Sequence, residues 1–138
     1  MTFFRVFYGG IFGDLKKPSI MEQINKIELQ GRVGNARTAK VGERTVCKFS
    51  VVTSMIYRNA EGVATEETTW HNCSIWENRR IAVLSWIRSG AMIHLTGRLR
   101  TYKYQGQDSQ DHYGTEVAVS QAEQLPEGTL LTAMNMVL

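Results

Sequence analysis

The residues best suited to bind a ligand lie in the segment Thr68 to Trp76. If this segment is a β-strand, its side chains alternate between two faces. One face then carries two tryptophans among small polar residues: Thr68, Trp70, Asn72, Ser74 and Trp76. The other carries Thr69, His71, Cys73 and Ile75, which suits a core. Indole rings among small polar side chains are typical of a solvent-facing surface, where they are available to stack on a flat ligand.

A second segment, Met92 to Tyr104, shows a related alternation. One face carries mainly apolar or small residues: Ile93, Leu95, Gly97, Leu99 and Thr101. The other interleaves two guanidinium groups with two aromatic rings: Arg98, Arg100, Tyr102 and Tyr104. This combination suits a ligand that has both exposed π-faces and phosphates, and nucleic acid with unpaired bases is such a ligand.

Each of these residues also has an ordinary structural interpretation. Trp70 and Trp76 are core residues if the strand is buried on both faces, and basic side chains such as Arg98 and Arg100 are usually just solvated. The polar neighbours of the tryptophans, and the tyrosines beside the arginines, favour ligand binding instead. Trp86 lies in a separate apolar segment and is predicted to pack against the core.

Composition is that of an ordinary single domain. The chain has 138 residues, 43% of them hydrophobic, which is enough for one core. The net charge is only +3, so bulk charge is weak evidence for a polyanionic partner. Cys47 and Cys73 lie in apolar runs and form no Cys-x-x-Cys pair, which predicts buried free thiols in a reducing compartment. No apolar run approaches the roughly 20 residues that span a bilayer.

The sequence does not favour an enzyme, a metal site or a cofactor. It contains no Ser-His-Asp order, no paired-carboxylate motif and no phosphate-binding glycine loop. His71 and Cys73 are spaced to offer two metal ligands from one strand face, but no third ligand accompanies them. We therefore expect a binding protein without a cofactor.

The elements that must position these residues are mostly strands. Alternation predicts a first strand around Ile27 to Val33, then a polar loop from Asn35 to Arg44. β-branched and aromatic residues predict a second strand over Thr45 to Tyr57, and Arg58 to Gly62 supplies the turn of an extended hairpin arm. The Trp70 segment is the third strand.

The second half of the chain adds a short helix and two strands. Ile81, Leu84 and Ile87 recur at helical spacing, so we predict a helix from Glu77 to Ser89 that ends at Gly90. The Arg98 segment is the fourth strand, and a fifth, Tyr113 to Val119, follows a polar hairpin loop. This order predicts an all-β five-stranded OB-fold barrel, whose face and loops commonly bind oligonucleotides.

Three regions divide the chain. Residues 1–20 form an aromatic and glycine-rich extension, which we interpret as a mis-assigned start before Met21 or as an arm that packs on a partner subunit. Residues 21–125 form the OB domain. Residues 126–138 form a short tail whose only charged residue is Glu127.

Six short motifs resemble the bacterial single-stranded DNA-binding proteins in order and spacing. They are Asn25-Lys26-Ile27, Gly31-Arg32-Val33-Gly34, Phe49-Ser50-Val51, Thr69-Trp70-His71, Gly97-Arg98-Leu99-Arg100-Thr101 and Thr115-Glu116-Val117. The resemblance runs from about Glu22 to Leu125. It implies sequence-nonspecific binding and protection of single-stranded DNA in replication, recombination and repair, by a cytoplasmic, nucleoid-associated homotetramer.

The resemblance also implies roles for individual residues. The family's four base-stacking aromatics fall on Tyr57, Trp70, Trp76 and Tyr104, and strand alternation selects the last three independently. Arg98, Arg100 and Tyr102 are further nucleic-acid-binding candidates, and Arg58 and Lys103 are weaker ones. The subunit interface is expected at His71, Ile27 and Leu29.

The C-terminal end departs from the family pattern. Family members usually end in an acidic tip that recruits replication and repair enzymes, whereas this chain ends in the apolar run Met134 to Leu138. We therefore expect a short form in which recruitment by such a tip is doubtful. The competing interpretation of the whole chain is a related OB module, such as a primosome component or an RNA-binding domain.

Overall fold

A computed structural model describes residues 17–79, 81 and 84–135. The described residues form six β-strands. Their bounds are β1 Ile27–Val41, β2 Arg44–Arg58, β3 Ala64–Trp76, β4 Met92–Gln105, β5 Asp111–Gln124 and β6 Met134–Asn135. Residues 1–16 of the predicted N-terminal extension lie outside the described residues.

Five of the strands close into a barrel. β1 pairs antiparallel with β4 over Ile27 to Arg32, and then with β2 from Arg32 to Val41. The remaining pairings are β2 with β3, β4 with β5, and a short parallel contact between β3 and β5. A register shift between Val33 and Ala36 marks a bulge in β1, which lets one strand serve both neighbours. The predicted all-β OB barrel is confirmed.

The barrel interior is apolar. The largest fully buried side chains are Ile75, Ile93, Leu95, Val33, Val51 and Cys47. Both cysteines are buried free thiols, as predicted. Burial, and secondarily the charge of Glu116, raises the pKa of the Cys73 thiol to about 12, and burial also raises the pKa of Cys47. These thiols are therefore protonated packing groups.

The predicted loop from Asn35 to Arg44 is wrong for most of its length. Residues Ala36 to Val41 pair one by one with β2, so β1 continues as a strand and only Gly42 and Glu43 form the turn. Gly42 has a φ of 66°, a conformation that favours glycine. The polar composition of this segment reflects an exposed strand and not a loop.

The helix predicted from Glu77 to Ser89 is not found either. Its described residues, 77–79, 81 and 84–89, have no helical segment: they are irregular, with a bend at Arg79 and turns at Ser85, Trp86 and Ser89. The Asn78 side chain accepts a hydrogen bond from the Ile81 amide at 3.0 Å, and the Ile87 amide bonds to the Leu84 carbonyl at 3.1 Å. An asparagine oxygen that accepts from the amide three residues later is also the geometry of a helix N-cap, but only isolated turns follow it among the described residues. Leu84 and Ile87 are nevertheless buried, and Trp86 packs against the core as predicted.

Two elements project from the barrel or return to it. β2 and β3 continue as a hairpin arm to the pair Arg58–Ala64, as predicted. The tail returns as β6, which pairs in parallel with Met55 and Ile56 of the arm and was not predicted. No helix among the described residues is long and apolar enough to cross a membrane.

Candidate nucleic-acid interface

Trp70 lies on the outer face of β3 and is 60% exposed. A Cβ added to Gly34 would lie 2.3 Å from Cζ3 of the Trp70 ring, so the ring rests against the backbone of β1 at this glycine. The Ser50 hydroxyl is also close to Gly34 and accepts a hydrogen bond from the Asn35 amide at 3.2 Å. The indole is thus both supported from behind and open to a ligand.

Trp76 ends β3 on the same face and is half-buried. The Arg44 guanidinium lies 4.6 Å from the centroid of its ring, which is a cation–π contact. Trp76 is six positions after Trp70 in the strand, so the two indoles are about 20 Å apart along β3. A ligand that contacts both rings must therefore be extended.

A row of rings continues the face across β4 and β5. Tyr102 and Tyr104 have ring centroids 6.0 Å apart, and Tyr104 stacks on His112 at 5.5 Å with an interplanar angle of 26°. The Lys48 ammonium lies 5.7 Å from the Tyr102 centroid. At the other end, the His112 ring bonds the Asp108 carboxylate at 3.0 Å. Tyr102 and Tyr104, predicted from alternation, therefore do lie side by side.

A buried carboxylate lies beneath this face. Glu116 of β5 is 5% exposed and accepts a hydrogen bond from the Ser74 hydroxyl. Its other partners are Arg100 at 3.2 Å and Lys48 at 3.5 Å. Burial raises the pKa of Glu116, but the Ser74 hydrogen bond and the charges of Lys48 and Arg100 outweigh it and hold the pKa below its ordinary value. Glu116 is therefore ionised at neutral pH.

A shallow groove joins the two halves of this surface. Residues from all five barrel strands line it: Asn35, Ala36, Arg37, Lys48, Phe49, Ser50, Asn72, Cys73, Tyr102, Tyr104 and Glu116. Ser50 links the groove to Gly34 and Trp70, while Tyr104 links it to His112. We call this continuous surface, from Trp70 through the groove to Tyr104 and His112, the aromatic track.

The other candidate residues lie apart from the groove. Tyr57 is half-buried near the end of the hairpin arm, and Arg58 donates a hydrogen bond to the Gly62 carbonyl within the same arm. Arg98 is exposed on β4. Lys103 forms an ion pair with Asp111 at 3.2 Å and alternates away from the face that carries Tyr102 and Tyr104.

The residues expected at a subunit interface have mixed environments. His71 is half-buried, and its Nε2 hydrogen bonds with the Thr53 hydroxyl at 2.8 Å. Burial lowers the pKa of His71. Leu29 belongs to the core of its own barrel and Ile27 packs against that core. The residues that this part of β1 exposes are therefore Glu28 and Gln30.

Four contributors to the track were not predicted from the sequence: Gly34, Lys48, Glu116 and His112. Lys48 and Ser74 are cross-strand partners, and so are Arg100 and Glu116. Strand alternation would have placed each residue on a face, but the register between strands was needed to bring them together. Within the described ranges, no group of three or more His, Cys, Asp or Glu side chains is arranged to hold a metal ion.

The fold and this face define an OB-type barrel that presents stacking rings beside basic groups. The model of the Single-strand binding protein family matches residues 24–125. The chain belongs to this family.

Individual relatives agree with this assignment. The single-stranded DNA-binding protein of Neisseria meningitidis serogroup A is 30% identical over 105 residues, which cover 74% of this chain and 60% of the relative. That of Xylella fastidiosa is 29% identical over 104 residues, covering 74% and 63%. The chain thus spans about three-fifths of the length of these relatives.

Solved structures resemble the barrel as well. The Plasmodium falciparum SSB in complex with ssDNA superposes with a TM-score of 0.69 at 25% identity, covering 78% of this chain and all of that one. A deletion mutant of the single-stranded DNA binding protein from Thermus aquaticus gives a TM-score of 0.66 at 12% identity, covering 76% and 52%. The second likeness concerns the fold alone.

Proposed function

We propose that this protein binds single-stranded DNA without sequence specificity, by stacking bases on aromatic rings and by contacting phosphates with basic side chains. The aromatic track carries the proposal, since it places exposed rings and cations on one continuous face. Family membership supports the same activity. Stacking accepts any base because every base has a π-face, so the track predicts little sequence preference.

The geometry favours a single strand over a duplex. Trp70 and Tyr104 are open to a base that is not already stacked, whereas duplex bases stack on one another. We expect the bound strand to run from Trp70 through the groove to Tyr104, with Trp76 as a further stacking position on β3.

Titration with oligo(dT) tests the proposal directly. Binding should quench the fluorescence of Trp70 and Trp76 and leave mainly the signal of Trp86, which packs against the core. An equal concentration of duplex DNA should compete poorly. Absence of quenching, or equal competition by duplex, would contradict the proposal.

A matched RNA oligomer addresses the competing interpretation of the chain. Stacking and phosphate contacts sense the 2′-hydroxyl only weakly. Tighter binding to oligo(dT) than to oligo(U) would support a DNA-binding role. Tighter binding to oligo(U) would instead favour an RNA-binding OB module.

The biological role that we propose is protection of single-stranded DNA during replication, recombination and repair. In this role the protein acts as a homotetramer and not as an enzyme. Protection requires only that the strand be covered. The aromatic track offers rings and basic groups that could cover it. Nuclease digestion of a long single strand, with and without the protein, measures protection. An unchanged digestion rate at saturating protein would contradict it.

A further inference from the structure

A negative charge in the middle of a surface that must meet phosphates requires an explanation. Glu116 lies in the groove wall, and its neighbours come from three other strands: Lys48 of β2, Ser74 of β3 and Arg100 of β4. Carboxylates are rarely buried unless they are paired. Here the pairing is complete enough that the carboxylate is 5% exposed, while its two cationic partners remain substantially open to solvent.

The charges in this cluster do not balance. Lys48 and Arg100 each carry one positive charge and share a single carboxylate. The three groups together therefore carry one net positive charge. A phosphate that approaches the groove meets the open parts of both cations, with the negative charge fixed directly beneath them.

We propose that Glu116 is an internal counter-anion, which positions Lys48 in the groove and Arg100 beside it and cancels one of their two charges, so that the cluster neutralises one DNA phosphate instead of two. The inference rests on the proposed function and deepens it. The site takes a phosphodiester group, and Glu116 sets how strongly that group is held.

The physical consequence concerns salt dependence. For single strands, the logarithm of affinity falls with the logarithm of salt concentration with a slope of about −0.7 for each phosphate neutralised. A cluster that neutralises one phosphate contributes about −0.7, and an uncompensated pair of cations would contribute about twice as much. Glu116 therefore lowers affinity at low salt and makes binding less sensitive to ionic strength.

The first test is Glu116→Gln, which removes the charge and keeps nearly the same shape and the hydrogen-bonding oxygen. We expect the slope for oligo(dT) to become steeper by about 0.7. Over a fourfold rise in salt, the variant should lose about 2.6-fold more affinity than the unmodified protein. Glu123→Gln is the matched control, because it removes the same charge from the same strand at an exposed position outside the groove. Its slope should not change.

A second variant tests the same charge balance without leaving two uncompensated cations side by side, which is the feature of Glu116→Gln most apt to destabilise the fold. Lys48→Gln combined with Glu116→Gln leaves one cation, so the cluster again carries one net positive charge. The proposal predicts that this double variant has the slope of the unmodified protein. If Glu116 does not cancel a charge, the double variant loses one phosphate contact and its slope becomes shallower by about 0.7.

The possible outcomes are distinct. An unchanged slope in Glu116→Gln, with or without a lower melting temperature, would make Glu116 a structural carboxylate only and overturn the proposal. An equal change in Glu123→Gln would also overturn it, because the effect would then be one of total charge. Failure of the unmodified protein to bind oligo(dT) would instead refute the proposed function.

Discussion

Trp70 and Gly34 lie in direct contact, although one belongs to β3 and the other to β1. A Cβ at position 34 would be 2.3 Å from Trp70 Cζ3, closer than real contacts allow, and 3.0 Å from Cη2, which is tighter than most. The contact reaches across β2, whose Ser50 hydroxyl lies beside both residues. The most exposed ring of the aromatic track is therefore positioned by a residue whose only contribution is the absence of a side chain.

Gly34→Ala should weaken binding by displacing this ring. The added methyl group must move the indole or the backbone, and such overpacking typically costs about 1–3 kcal/mol of stability. We expect affinity for oligo(dT) to fall by up to about tenfold, the value expected when one stacking contact is lost. Fluorescence titration and thermal unfolding measure the two effects.

The control for Gly34→Ala is the same substitution in a Trp70→Ala background. If Gly34 acts only by positioning Trp70, the substitution should have little further effect on affinity once the ring is gone. A full additional loss in that background would mean that Gly34 serves binding in some other way.

Trp70→Ala and Trp76→Ala should each weaken binding by roughly tenfold. Base–aromatic stacking is worth about 1–3 kcal/mol per base, and about 1.4 kcal/mol corresponds to tenfold. The salt slope should be nearly unchanged, because neither ring carries charge. Trp86→Phe is a suitable control, since Trp86 packs against the core and should contribute little to binding.

Arg98→Ala should change the salt slope, which the tryptophan variants should leave nearly unchanged. Arg98 is exposed on the strand that carries the tyrosines, so we expect it to contact a phosphate. Its loss should make the salt slope shallower by about 0.7. Arg98→Lys should retain most of the slope because it keeps the charge. If the tryptophan and arginine variants changed the slope alike, stacking and phosphate contact would not be separate contributions.

The local sequence predicted which strand side chains point inward or outward better than it predicted what packs against them. Period-two alternation identified the exposed Trp70 and the buried Cys73 and Ile75, because a strand on a barrel has one inner and one outer face. It was wrong for Ser74, which it put on the open face with Trp70 but which is buried, because its hydroxyl bonds to Glu116. The same reasoning put Leu99 on one face with Ile93 and Leu95, which are fully buried, yet Leu99 is 46% exposed. At this point β4 has left β1 and pairs only with β5, so no core lies beneath it.

The contacts that complete the candidate site depend on long-range register. Glu116 meets Lys48 and Ser74 only because β3 pairs with β5 and β2 pairs with β3. Nothing in the residues around Glu116 specifies those partners. The wrong helix has a different cause: the helical spacing of Ile81, Leu84 and Ile87 also arises when turns direct side chains into a core.

His71 should make stability depend on pH in the neutral range. Its pKa is lowered in the folded protein from the ordinary value of 6.5, so the unfolded chain takes up the proton first as pH falls. The contribution of His71 to the free energy of unfolding should therefore be constant well above pH 6.5 and decrease as the pH falls below it. His71→Gln should show a weaker decrease between about pH 7.5 and about pH 5.5. His94 and His112 are present in both proteins and cancel in the difference. Identical pH profiles would contradict the prediction.

A single chain exposes an unpaired strand edge and several apolar side chains to water. On one side, Ile27 to Gly31 pair with β4, but among the described residues no strand pairs with their other edge. Nearby in sequence, Ile20, Met21 and Ile24 are each more than four-fifths exposed, and Leu130 of the tail is equally so. Unpaired strand edges and exposed apolar residues are both features that association with another chain would cover.

We therefore predict a homotetramer in solution. Light scattering should give a mass four times the 15.6 kDa of one chain at micromolar concentration. A dimer would be consistent with the pairing of strand edges and would refute only the association of two dimers into a tetramer. A monomer would refute both, and the half-buried His71 would then have no role at an interface. Repeating the measurement with saturating oligo(dT) separates assembly of the protein itself from assembly along a shared strand, because only the latter requires DNA.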